Sequence, residues 1–118
     1  LVADDADDER RLGFDCDGVL ADDAGERFYK EQGLARFHAN ERENAALPLS
    51  PGPLQRLLRQ VAAVQAAERA RSAADATHKP LIRTAIINGR SAPADRRVIA
   101  SLREWGVTVD EAFFIGDL

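Results

Sequence analysis

The last third of the sequence reads strand, polar loop, helix, strand, and this order restricts the fold more than any other feature. "LIRTAII" at 81–87 is a short run with β-branched residues at its end. "NGRSAP" interrupts it, and Pro93 suits the start of a helix. Val98, Ile99, Leu102 and Trp105 then recur on one helical face, which stops at Gly106. "DEAFFIG" supplies the next strand. Two strands joined by a helix pair in parallel through a right-handed crossover. The expectation is therefore an α/β fold on a parallel sheet.

Upstream, residues 12–14 form another strand candidate, weakened by Gly13. Between this strand and the one at 81 lies a helical insert, about 23–79. Its first helical stretch runs over 26–32 and ends at Gly33, a suitable C-cap, and a second covers about 34–44. "LPLSPGP" is a turn by its three prolines and one glycine. Leu54, Leu57, Leu58, Val61 and Val64 then mark one face of the strongest helix, out to about Ala70, before "SAADATHKP" loosens into a connector. Residues 1–10 read as an acidic lead-in and 11–118 as a partial domain whose ends look cut, since the chain runs from a strand into a loop and stops.

The 118 residues suffice for one domain with a real core. A formal charge of -4 argues against a nucleic-acid partner, which needs a basic face. No apolar run approaches the ~20 residues of a membrane span, and no signal peptide is recognisable, so no membrane partner is expected. The single cysteine, Cys16, excludes an intramolecular disulfide and fits a reducing, cytoplasmic setting. An exposed edge of an unfinished sheet would favour association with another chain, a homo-oligomer among the candidates.

Ligands of open α/β sheets sit at the carboxyl ends of the strands. Two polar loops fall there: Asp15, Cys16, Asp17 and Gly18 after the first strand, and Asn88, Gly89, Arg90 and Ser91 after the second. The second offers an amide, a guanidinium and a hydroxyl just before a helix, all suited to a phosphate. The first offers two carboxylates, which repel a phosphate unless a cation intervenes. At about 3.5 Å and an effective dielectric of about 20, one such pair of charges costs roughly 4–5 kcal/mol. A hard, oxygen-seeking ion such as Mg²⁺ offsets that, with Asp15 and Asp17 as its ligands.

Plainer roles compete at each position. An Asp after a strand commonly forms a turn or caps a helix; here an apolar strand, D-x-D-G and a return to Val19-Leu20 occur together. A calcium loop fails, because the glycine falls fourth rather than sixth and Leu20 holds the sixth position. For Arg90 the competing role is a surface salt bridge. Cys16 reads as a packing residue, His38 and His78 as surface residues, and Phe28, Tyr29 and Phe37 as insert core. Asp22 and Asp23 read as solvated turn residues.

At these residues the sequence becomes recognisable. "FDCDGVLADD" resembles the first motif of haloacid-dehalogenase-type (HAD) phosphohydrolases. With "EQGLARF", "LPLSPGPLQRLL" and "PLIRTAIINGRSAPADRRVIASLREWGVTVDEAFFIG", it is similar in order and spacing to the cytosolic 5′-nucleotidase I family from about Arg11 to the end. The resemblance implies a HAD-like Rossmannoid sheet and Mg²⁺-dependent hydrolysis of nucleoside 5′-monophosphates such as AMP or IMP. Asp15 would be the nucleophile, forming an aspartyl-phosphate, and a Mg²⁺ ligand. Asp17 would be the general acid and then the base, with its backbone carbonyl as a second ligand. Asn88 stands where the family has a Thr or Ser that holds a phosphate oxygen. Gly89 stands in place of Ala, and Cys16 and Gly18 in place of Gly and Ala. The family's Lys and its later acidic pair are not reached before Leu118, and Asp117 reads as loop rather than as that acid motif. Two rivals follow: a catalytically incomplete binding or assembly module, and a general HAD phosphatase acting on sugar phosphates.

Overall fold

The computed structural model describes residues 9–116. Strand β1 (Arg10–Asp15) pairs in parallel with β2 (Ile82–Asn88), and β2 pairs in parallel with β3 (Glu111–Phe114), giving the order β1-β2-β3. Helices α1 (Ala24–Gln32), α2 (Leu34–Glu43) and α3 (Gln55–Ala74) connect β1 to β2, and α4 (Asp95–Glu104) connects β2 to β3. The chain is thus α/β with Rossmann-like wiring. Register places Asp15 opposite Ile87 and Asn88 opposite Phe114, so the carboxyl ends of all three strands share one edge. Of the expected lead-in at 1–10, residues 1–8 lie outside the described residues, and Arg10 already opens β1.

One face of the sheet carries the core. Phe14 and Ile86 pack with Leu58 of α3, Val98 and Leu102 of α4, and Leu20, Leu49 and Val107 of the connecting segments. The expected core face of α3 requires correction. Leu54, Leu57 and Val64 are 41%, 45% and 48% exposed, whereas Gln55, Leu58, Ala62 and Gln65 are buried. Two neighbouring stripes share the same helical period, and Leu58 belongs to both. The helix turns its polar-flanked stripe inward because Gln65 Nε2 donates to Ile82 O at 3.1 Å and to Asp110 Oδ2 at 2.8 Å. That side chain closes the amino end of the β2–β3 pair, a task no leucine performs. Helix α3 also runs on to Ala74, since neither Gly nor Pro intervenes before Pro80. On α4, Ile99 is likewise exposed at 40% while Ser101 is buried.

The Pro-rich turn has a defined task. Asp22 N–H donates to Ser50 O (2.9 Å), Gly52 N–H to Leu20 O (2.8 Å) and Leu54 N–H to Val19 O (2.9 Å). Residues 49–54 therefore hold the loop that follows β1. Leu49 N–H in turn donates to Ser101 Oγ (2.7 Å), which fixes this segment to α4. A Cβ added at Gly52 would lie 2.2 Å from Ala21 O and 2.6 Å from Val19 O, so only glycine permits this approach.

Two outcomes are expected. Because backbone rather than a flexible side chain blocks the added carbon, Gly52→Ala lowers unfolding stability by roughly 1–3 kcal/mol, read by urea denaturation; a variant as stable as the wild type would contradict this contact. The second concerns Asp110. Burial raises its pKa, but hydrogen bonds from Thr84 and Gln65 and the charge of Arg83 outweigh burial and hold it below the ordinary carboxylate value. A carboxylate lowered on folding stabilises fully above its unfolded pKa of about 3.9 and loses that contribution as pH falls through its folded value. Asp110→Asn should flatten the loss of stability below about pH 4 in a series of urea unfolding curves; an unchanged acid limb would exclude this role.

Candidate active site

Strand β1 delivers Asp15 to the carboxyl edge of the sheet, where it is exposed. Cys16 N–H donates to its Oδ1 at 2.8 Å, and its Oδ2 has no protein partner among the described residues. The chain then turns sharply. The Cys16 carbonyl accepts the N–H groups of Val19, Leu20 and Ala21 at 3.2, 3.0 and 2.9 Å. Gly18 completes this turn at φ 81°, the left-handed region in which a side chain is strained. Cys16 is buried beneath the turn; burial first, then the charge of Asp17, pushes its thiol up to about 12. A thiol held neutral in this way is a packing group and not a nucleophile.

Asp17 leaves the turn on the side of the insert. Both its carboxylate oxygens are taken by Arg90: Nε donates to Oδ2 at 2.9 Å and Nη2 to Oδ1 at 2.7 Å. Arg90 has no solvent exposure. Its Nη1 donates to Glu41 Oε2 at 2.9 Å and to the Ala94 carbonyl at 3.2 Å, and its guanidinium lies 5.4 Å from the centroid of the Phe37 ring. Burial works against the charged guanidinium, but the hydrogen bonds and charge of Asp17, with the charge of Glu41, hold its pKa above the usual value. Arg97 Nη1 completes the chain by donating to Glu41 Oε1 at 3.2 Å.

Asn88 ends β2 and is 2% exposed. Arg90 N–H donates to its Oδ1 at 2.8 Å, which leaves the two donors of Nδ2 buried and without a hydrogen-bond partner among the described residues. A buried donor of this kind costs about 1–3 kcal/mol unless a ligand or water satisfies it. Asp15, Asn88 and Gly89 line one open cleft of about 530 Å³, together with Gly13, Phe14, Ile87 and Ile115. Ser91 follows, half-buried, and its carbonyl accepts Asp95 N–H at the start of α4.

The structure thus brings all six predicted positions to one sheet edge but sorts them. Asp15, Asn88 and Gly89 meet in the cleft, while Asp17 and Arg90 meet each other on the insert side. Every donor group on the Arg90 side chain is engaged by protein. Sequence reasoning missed Glu41, Arg97 and Gly25. An added Cβ at Gly25 would sit 2.8 Å from Arg90 Nη2 and 3.4 Å from Asp17 Oδ1, so its place beside the ion pair is as specific as theirs. No local spacing announces these residues, since their partners lie far away in sequence. His38 and His78, expected at the surface, are half-buried with shielded Nε2 atoms.

Among the described residues no group of three or more His, Cys, Asp or Glu side chains gathers to hold a metal. A magnesium-type ion asks for less, since it keeps several waters and takes one or two carboxylates plus phosphate oxygens. The free oxygen of Asp15 at the cleft fits that demand. Also among the described residues, no helix is long and apolar enough to cross a membrane.

Comparison with known proteins gives the family. The family model described as 5′-nucleotidase matches residues 1–118. Human (Homo sapiens) cytosolic 5′-nucleotidase 1B is 36% identical over 110 residues, which cover 92% of this chain and 18% of that protein. The chain therefore spans less than a fifth of the length of this curated relative. No solved structure gives a significant match. With a family match along the whole sequence, the chain belongs to the 5′-nucleotidase family.

Proposed function

We propose that this chain carries the nucleophile and phosphate loop of a Mg²⁺-dependent 5′-nucleotidase of HAD type, acting in the cytoplasm on nucleoside 5′-monophosphates such as AMP or IMP. One observation carries this reading: an exposed carboxylate with a free oxygen, Asp15, shares a cleft with a residue whose buried amide donors are unmatched, Asn88. A phosphate monoester supplies what each lacks, an electrophilic phosphorus and a charged acceptor.

In this reading Asp15 Oδ2 attacks phosphorus; the new O–P bond forms as the bond from phosphorus to the nucleoside 5′-oxygen breaks. Asp17 hands its proton to that leaving oxygen. It then takes a proton from water, which attacks the aspartyl-phosphate, releases phosphate and restores the Asp15 carboxylate. Covalent relay through a carboxylate replaces one difficult displacement with two easier ones. Asn88 Nδ2 and the backbone of Gly89 and Ser91 hold the phosphate oxygens, just ahead of the α4 amino terminus, while the Arg90 guanidinium stays committed to Asp17, Glu41 and the Ala94 carbonyl. Asp15 and the Asp17 carbonyl would hold Mg²⁺, which when bound neutralises phosphate charge beside the two carboxylates. The insert stands on the Asp17 side, through Gly25, Phe37 and Glu41.

Phosphate release from AMP, with and without Mg²⁺, tests this. Turnover should require the metal and fall by roughly a thousandfold or more in Asp15→Asn, as expected when a nucleophile is lost. An Asp15→Asn protein at full rate would overturn the assignment. Losing a hydrogen bond to a charged oxygen costs about 1.5–3 kcal/mol. Asn88→Ala should accordingly raise KM by roughly ten- to a hundredfold, and an unchanged KM would remove Asn88 from the phosphate site.

A further inference from the structure

Arg90 has a place in the site that the phosphate-loop motif does not explain. Its guanidinium is wholly shielded from solvent, and its donors end on Asp17, Glu41 and the Ala94 carbonyl. We infer that Arg90 and Glu41 are positioning residues for Asp17: the guanidinium fixes the Asp17 carboxylate at two points, and Glu41, from α2 of the insert, fixes the guanidinium. The inference rests on the nucleotidase chemistry proposed above, in which Asp17 exchanges a proton with the leaving group and with water.

Three features single out a clamp from an incidental ion pair. The first is geometry. Nε and Nη2 reach separate oxygens at 2.9 and 2.7 Å, which sets the carboxylate plane as well as its distance. The second is containment. Phe37 closes one side of the guanidinium, Glu41 is itself fully buried, and Gly25 leaves no room for a Cβ, which would lie 2.8 Å from Nη2. The third is charge. Glu41 is the anion that both guanidinium groups, Arg90 and Arg97, share, whether or not Asp17 carries its proton. Arg97 Nε also donates to Leu47 O, which anchors the far end of the network to the segment entering the Pro-rich turn.

The same residue reaches the phosphate loop through its backbone. Arg90 N–H holds Asn88 Oδ1, which leaves Nδ2 as the amide's unmatched side. Arg90 thereby sets two groups at once, the Asp17 carboxylate by its side chain and the Asn88 amide by its main chain. Glu41 touches neither and reaches both through Arg90, so its loss should affect orientation rather than substrate binding.

The test uses the protein labelled with ¹⁵N at arginine. In the wild type the Arg90 Nε–H signal should exchange slowly with solvent. Glu41→Gln keeps the shape but removes the charge; it should speed that exchange at least tenfold and lower kcat for AMP by roughly ten- to a hundredfold, the penalty of a slightly misplaced reacting group, with KM nearly unchanged. Arg90→Lys should not restore kcat, because an ammonium is a point charge without the two-point fork. Should Glu41→Gln fail to fold by circular dichroism, Gly25→Ala presses on Nη2 without removing a charge and should give the same two changes. Unaltered Arg90 exchange together with unaltered kcat in a folded variant overturns the clamp, as does a fall in kcat matched by an equal rise in KM. A wild-type chain that releases no phosphate is the catalytically incomplete module instead, and the Arg90 Nε–H signal then decides the clamp alone.

Discussion

A guanidinium without access to water must be surrounded by acceptors, because an unpaired buried charge costs several kcal/mol. Arg90, in the loop after β2, meets that demand by drawing acceptors from three other parts of the chain: Asp17 from the turn after β1, Glu41 from α2, and the Ala94 carbonyl at the entry to α4. The elements that meet there are those that position the site. Replacing such a cluster with apolar residues of equal volume often leaves stability unchanged or higher. Stability is therefore a weak reason for its presence, and fixed orientation of Asp17 is a stronger one.

The parallel register supplies the second constraint. Asp15 pairs beside Ile87 and Asn88 beside Phe114, so the polar loops of β1 and β2 emerge at one edge whatever their side chains are. Side-chain chemistry then divides that edge. The turn built on the Cys16 carbonyl reverses the chain between Asp15 and Asp17 and sends the two carboxylates to different surroundings. The segment 49–54, bound against residues 19–22, holds this turn from outside in addition to its own hydrogen bonds.

Much of this was legible in the sequence, because it follows from local order. The strand-helix-strand pattern at 81–116 predicts the parallel pairing, and Gly33 and Gly106 mark the ends of α1 and α4 as expected. What the sequence hid depends on contacts between distant residues. The inward face of α3 was decided by Gln65 reaching Ile82 and Asp110, while the more obvious leucine stripe lies outside. Glu41 looks like any charged residue on a polar helix until Arg90 and Arg97 close on it across 49 and 56 residues of chain. "LPLSPGP" reads as a turn, yet the need for glycine at 52 arises only from the backbone of Val19 and Ala21 against it.

Two carboxylates two residues apart perform different tasks only if their surroundings differ. Asp15 faces an open cleft with one oxygen held by the Cys16 amide and the other without a partner among the described residues, which suits the proposed attack on phosphorus. Asp17 has 12% of its side chain exposed and both oxygens directed by one guanidinium, which suits the proton transfer proposed for it. Each oxygen of Asp17 still has a second lone pair, so the clamp fixes the carboxylate without using up its capacity to carry a proton. The difference between the two aspartates is therefore made by distant residues: Gly18 and the Pro-rich turn expose one, and Arg90 with Glu41 constrains the other.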